Sequence, residues 1–255
     1  MLYKSIYTLL FILLISITSC QTEKQPDAQQ IVDKAIEAHG GERFLKSAIS
    51  FEFRDRQYRA LRDGGVFVYS RTFTDSTGQH VRDVWRNSGF TRTINDEEVE
   101  LPEEKQKAYT ASVNSVIYFA LLPYALNDEA VQKEYLGETT IKGEPYHKVR
   151  VTFAQEGGGE GYQDVYIYWF HQQRHTMDYL AYSFQENDGG TRFREAFNPR
   201  TVGDILFQDY NNYTLKEDTP LEAYDQAFEA GKMEKVSEVV LEDIEVKELE
   251  SHRDM

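Results

Sequence analysis

From residue 48 the chain runs through short segments in which apolar and polar residues alternate, most of them closed by a turn built on glycine, asparagine or aspartate. A period of two places alternate side chains on opposite faces of a strand, and tight turns join such strands antiparallel. The segments are 48–61, 66–73, 80–86 and 90–95, then 135–141, 146–153, 162–170, 177–184, 192–197 and 205–215, with a last strand over 237–246. Asp63-Gly64-Gly65, Asn87-Ser88-Gly89, Lys142-Gly143, Gly157-Gly158-Gly159 and Asp188-Gly189-Gly190 supply turns. Three helical patterns interrupt the series. Residues 27–38 put Ile31, Val32, Ala35 and Ile36 at helical spacing behind Asp27 as N-cap, and Gly40-Gly41 stops them. Residues 102–122 open on Pro102, Glu103 and Glu104 and carry Val113, Val116, Ile117 and Ala120 on one face. Their end, Tyr118 to Leu122, is apolar nearly all round, so it must be covered by sheet or fill a cavity. Residues 219–230 read as an amphipathic helix closed by Gly231. The order predicts a β-rich α+β fold around a strongly curved antiparallel sheet.

Ahead of this lies a segment of another kind. Lys4 is followed by an uncharged apolar stretch, 7–17, and then by Ile17-Thr18-Ser19-Cys20. The stretch is too short to span a bilayer core, which takes roughly 20 apolar residues, and has the layout of a secretory signal. Cys20 is the only cysteine, so an internal disulfide is excluded. The tetrapeptide resembles the bacterial lipobox, which implies cleavage before Cys20 and acylation of its thiol. The expected organisation is a signal peptide over 1–19, a lipidated polar tether over 20–27, one domain over 28–247 and a charged tail over 248–255. It implies a cell-envelope protein held on a membrane through Cys20. The acid that retains enteric lipoproteins at the inner membrane is replaced by Gln21, which favours the outer membrane. Net charge is −15, and a chain this acidic repels phosphate backbones, so no nucleic-acid partner is expected.

Four motifs carry a family resemblance: Ala38-His39-Gly40-Gly41, the segment 119–126, Gly143 with Tyr146-His147-Lys148-Val149, and Asp164-Val165-Tyr166-Ile167-Tyr168-Trp169. Over residues 28–247 the chain resembles the lipoprotein carriers LolA and LolB. It looks closer still to a family of Bacteroidetes-type lipoproteins known as a domain of unknown function. The resemblance implies an open β half-barrel with helices packed on its concave side. None of these motifs is catalytic. A soluble carrier of this kind also has no acyl anchor, whereas this chain has Cys20.

No motif of an enzyme or a cofactor site is present. Gly157 to Gly161 lacks the Lys-Ser/Thr of a phosphate loop, there is no Gly-x-Ser-x-Gly elbow, and no second cysteine remains as a nucleophile. His171 and His175, with His147 or Asp178 as a third ligand, lack the helix and neighbouring Glu of the zinc motif and read as solvated turn histidines. His39 reads as a helix-end residue favoured by the dipole. The acidic groups Asp96-Glu97-Glu98, Glu103-Glu104, Glu156, Glu160 and Asp164 lack calcium-loop spacing and read as solvated turns. No catalytic residue, metal or cofactor is therefore expected.

The chain holds seventeen Tyr and fifteen Phe. In the hairpin 162–184 aromatics occupy both faces: Ile167 and Trp169 fall on one, Tyr166, Tyr168 and Phe170 on the other. A sheet with one wet face does not do this. Either both faces are covered, one of them by a partner or membrane, or one lines an apolar cavity. The first hypothesis is a non-catalytic binder of lipid or another hydrophobic ligand, with helix 102–122 across the concave face. Ile117, Ala120 and Leu121 then point toward the ligand, with Trp85 or Trp169 nearby. A surface module docking a protein or glycan is the alternative. A hydrolase with a dispersed carboxylate pair is the third, because two distant acids leave no local signature.

Overall fold

Asp27 opens the first helix, its carboxylate accepting the Gln29 N–H at 3.0 Å, and α1 runs Ala28–His39. The computed structural model describes residues 26–249 other than 64, 157–161 and 185–188. The leader, Cys20, most of the tether, the Gly157-Gly158-Gly159 turn and residues 250–255 of the tail lie outside the described residues.

The strands form two seven-stranded antiparallel sheets. The first holds β1 Ser47–Glu52, β2 Gln57–Asp63, β3 Val66–Thr74, β4 His80–Arg86, β5 Gly89–Ile94 and the two-residue β6 Glu97–Glu98. The second holds β7 Val131–Ile141, β8 Glu144–Phe153, β9 Tyr166–His171, β10 Met177–Phe184, β11 Gly190–Val202 and β12 Ile205–Thr214. After them β13, Glu234–Val239, pairs with β12, and β14, Glu242–Glu248, pairs with β1. The expected β-rich α+β fold with antiparallel sheets is present. The curved surface is divided in two, and the single strand expected over 237–246 is the pair β13 and β14 that passes from one sheet to the other. At this junction Gly203 sits so close to Val246 that an added Cβ would lie 2.6 Å from it.

One expected strand, 48–61, is a hairpin. It folds at Arg54 and Asp55, both at positive φ (51° and 57°), while Phe53 and Arg56 exchange backbone hydrogen bonds of 3.0 and 3.2 Å. Two central residues with positive φ match the right-handed twist of flanking strands, a geometry that normally selects Asn-Gly or Asp-Gly. Arg-Asp gave no sequence signal for it.

The second helix, α2, runs Glu103–Ala120 and is wedged between the sheets. Val113, Ile117 and Leu121, spaced four apart, join Ile49, Phe51, Tyr58, Ala60 and Tyr69 of the first sheet. Tyr118, Phe119 and Leu122 turn to the second sheet, into a cluster with Tyr166, Tyr168, Leu180 and the buried face of α1. This accounts for most of the helix end that is apolar all round: each flank packs on one sheet, and Phe119 and Ala120 stay partly exposed.

The first half of α2 is tied down by charge. Arg71, Asp83 and Arg92 are direct cross-strand neighbours on β3, β4 and β5. Asp83, fully buried, accepts from Arg71 Nε at 3.0 Å and Arg92 Nε at 2.6 Å. Arg71 Nη1 also donates to Ser112 Oγ, and Arg92 stacks on Tyr109 at 3.6 Å.

The third helix lies elsewhere. Residues 221–223 form a 3-10 turn, and α3, Tyr224–Glu229, follows on the outer face of the second sheet, opposite α1. Leu215, Tyr224 and Ala227 cover Ile167, Trp169, Tyr179, Ala181 and Phe193 there. This covering strap resolves the aromatics on both faces of β9: Tyr166, Tyr168 and Phe170 face the helices, while Ile167 and Trp169 lie under the strap.

Candidate functional site

A cleft of about 400 Å³ opens between the C-terminal half of α2, the inner face of β9 to β12, and the β1–β2 turn. The helix contributes Ser115, Val116, Phe119 and Ala120, and the turn contributes Phe53 and Arg54. The sheet contributes Tyr166, Tyr182 and Phe184, then Arg192 and Arg194, then Gln208, Tyr210 and Asn212, and Val239 and Leu241 close one end.

The period of two explains most of this list. On β11, Thr191, Phe193 and Glu195 face the strap side, where Thr191 receives the Tyr224 hydroxyl and Glu195 that of Tyr213. Arg192 and Arg194 therefore face inward. Register then sets their neighbours: Arg192 opposes Tyr182, which opposes Tyr166, and Arg194 stands between Leu180 and Asn212.

The aromatic wall is continuous. Phe119 lies 5.2 Å from Tyr182 and 6.2 Å from Tyr166, and Tyr166 and Tyr182 stack at 5.6 Å. Burial raises the Tyr166 phenol above its usual range, with the nearby Asp164 carboxylate acting in the same direction. Burial does the same to Tyr210. Both hydroxyls thus stay protonated at neutral pH and do not act as bases.

The polar groups are held in place by neutral partners. Arg194 Nη2 donates to the Tyr182 hydroxyl at 3.0 Å, and its guanidinium lies 4.3 Å from the Phe119 ring centre. Arg192 Nη1 donates to the Thr191 carbonyl at 2.7 Å and lies over Phe184 at 5.3 Å. Arg54 packs on Phe53 at 4.9 Å. Gln208 Oε1, Asn212 Oδ1 and Arg194 Nε are buried without a hydrogen-bond partner among the described residues. Such groups ordinarily find partners in protein, water or ligand.

Of the five residues expected near a ligand, Ala120 lines the cleft. Ile117, fully buried, and Leu121 are packed against the first sheet. Trp85, half-buried on β4, sits edge-on to Phe67 at 4.7 Å, away from the cleft. Trp169 is fully buried under the strap, with the sheet itself between it and the cleft. The inward arginines went unnoticed in sequence because residues 192–197 gave only strand alternation. Marking β11 as a strand whose polar face turns inward would have found them.

Two histidines differ from their expected settings. His171 is buried rather than solvated: its Nδ1 accepts the N–H groups of Gln173 and Arg174 at 3.1 Å, and its Nε2 faces Glu144 at 2.9 Å. It locks the β9–β10 turn. His39 is buried too, and its Nε2 accepts the Met177 N–H at 3.1 Å.

Among solved structures the chain is similar to a LolA superfamily protein from Nitrosomonas europaea, at 12% identity over 89% of this chain and 94% of that one, with a TM-score of 0.43. It is similar to an outer membrane lipoprotein-sorting protein domain from Vibrio parahaemolyticus, at 8% identity over 87% and 94%, also at 0.43. The lipoprotein LppX from Mycobacterium tuberculosis matches at 12% identity over 64% and 90%, with a TM-score of 0.28. No curated protein matches. Residues 4–242 match the family of unknown function DUF6503, and the chain belongs to that family.

Proposed function

We propose that this protein is a cell-envelope lipoprotein that holds the hydrophobic part of a ligand in the cleft beside α2 and does not transform it. One observation carries the reading: Phe119, Tyr166, Tyr182 and Phe184 line open space. A volume of about 400 Å³ lies within the range of small-molecule sites, roughly 300–1,000 Å³. A mostly apolar wall with a few fixed polar groups is the usual composition of such a site. The acyl group expected on Cys20 would keep the cleft at a membrane surface, where its ligands are concentrated.

The two other readings find less support. The aromatic face that a docking module would present is covered by the strap. A carboxylate-pair hydrolase needs two acids across its site, and the described lining of the cleft contains one, Asp164.

The test is solvent extraction of the purified full-length protein followed by mass spectrometry, wild type beside Ala120→Trp. Wild type should release bound lipid. The variant should release much less, with its melting temperature nearly unchanged, because the indole enters empty space. No lipid from wild type, together with a loss of about 1–3 kcal/mol in the variant, is the signature of an overpacked solid core and would refute the reading.

A further inference from the structure

Two arginines stand on the inner face of β11, where the neighbouring positions carry Tyr166, Tyr182, Leu180 and Tyr210. A guanidinium on such a face loses part of its hydration and normally recovers it from a carboxylate. Elsewhere in the same sheet this happens. Lys148 pairs with Asp225 at 2.8 Å, Arg150 with Glu134 and Glu222, and Arg200 with Asp209 at 2.9 Å. In the cleft it does not: the partners of Arg192, Arg194 and Arg54 among the described residues are a hydroxyl, a carbonyl and aromatic rings. Among the described residues three arginines and one aspartate line the cleft, so the described lining is positive in a chain of net charge −15.

Arg194 is also pre-set for an anion. Stacking on Phe119 and the bond to Tyr182 fix the guanidinium plane, while Nε keeps an unused donor. A fixed, planar fork loses little freedom on binding and matches the paired oxygens of a carboxylate or phosphate. Beside it Asn212, its cross-strand partner, and Gln208, nine-tenths buried, each keep a buried amide oxygen unbonded. Either amide can turn to offer N–H or C=O to a polar head.

We propose that the cleft binds an amphiphile with an anionic head, carboxylate or phosphate, seated on Arg194 and Arg192, with its chain along the aromatic wall. The proposal rests on the hydrophobic-ligand reading above and adds the head-group chemistry to it. Arg54 sits on a turn with two residues at positive φ, a backbone cost of the kind that collects at binding sites. It supplies a third positive charge at the rim.

The experiment compares three probes that share one chain: oleate, oleoyl lysophosphatidate and oleyl alcohol. Immobilised full-length protein is equilibrated with an equimolar mixture, and the retained probes are quantified by mass spectrometry against bare matrix. We expect at least one anionic probe to be retained about tenfold or more over the alcohol. The preferred anion identifies the head as carboxylate or phosphate. In Arg194→Gln that preference should fall about tenfold, and Arg192→Gln should lower it as well. Raised salt should weaken the preference in wild type, since charge pairing near a surface is screened. Equal retention of all three probes by wild type overturns the anionic-head proposal but leaves the hydrophobic cleft standing. Retention of none overturns both. Because the wild-type comparison needs no substitution, a variant that fails to fold does not decide the outcome.

Discussion

His39 shows how burial reverses a charge preference read from sequence. A histidine in the last turn of a helix gains from the dipole when protonated, by roughly 0.3–1 kcal/mol. Removing that charge from water costs several times more. Burial accordingly lowers the His39 pKa from 6.5 to about 4, against the Leu206 carbonyl and Asp178 carboxylate that favour the charged form. A depressed histidine pKa means that the unfolded chain binds the proton first. Its contribution is therefore complete above pH 6.5 and is lost as pH falls toward 4, by about 3 kcal/mol in full. His39→Gln keeps an acceptor for the Met177 N–H but cannot titrate. Urea melts at pH 7.5 and 4.5 should show wild type losing about 2–3 kcal/mol more than this variant; parallel pH profiles would mean that His39 is not the group responsible. The Arg71-Asp83-Arg92 row, by contrast, left no local mark. It exists because the registers of three strands coincide, and register depends on turns that sequence places only approximately.

At the scale of elements, the helices were legible and the sheet edges were not. The pattern over 102–122 located α2 to within two residues at either end, because eighteen residues of helical periodicity outweigh any local ambiguity. The β1–β2 hairpin was missed because Arg54 is not a residue that favours positive φ and Asp55 is followed by Arg56 rather than by glycine. The amphipathic segment 219–230 was seen, but its place on the outer face could not be read from one chain segment alone. Its buried ion pair explains that place. Asp225, 1% exposed, faces Lys148 Nζ at 2.8 Å, and the same ammonium donates to the Glu222 carbonyl at 2.7 Å. Removing one partner of a buried pair leaves an uncompensated charge and costs about 3–5 kcal/mol. In a Trp85→Phe background Trp169 becomes the only indole, a reporter beneath the strap. Asp225→Ala should shift its emission to the red, open it to iodide quenching and lower the melting temperature. Unchanged emission at an unchanged melting temperature would show that the pair does not hold the strap.

For the whole molecule, the acidic surface and the expected anchor act together. A chain of net charge −15 gains nothing electrostatically from an anionic membrane surface, so residence there would depend on the acylation proposed for Cys20. Cys20→Ser should accumulate as uncleaved precursor, detected by a slower gel band and by loss of incorporated radiolabelled palmitate. Normal processing and unchanged membrane fractionation of that variant would remove the lipoprotein assignment. The alternation thus spoke to the fold class. The cleft draws on the second sheet, the helix beside it and the β1–β2 turn that sequence missed, so of its lining residues only Ala120 was named for the ligand and Tyr166 for an aromatic face.

The strand pair that joins the sheets also sets an order of completion. β13 and β14 follow every other strand, yet β14 is the partner of β1, with Ser47 opposite Glu248, and β13 is the partner of β12. While the chain emerges from its N-terminal end, β1 and β12 each keep one row of backbone groups unanswered. Unanswered rows of this kind invite pairing with other copies. The pairing of β1 and β12 is therefore finished only when the thirteen residues of β13 and β14 arrive, and those two strands then stand as edges in their place.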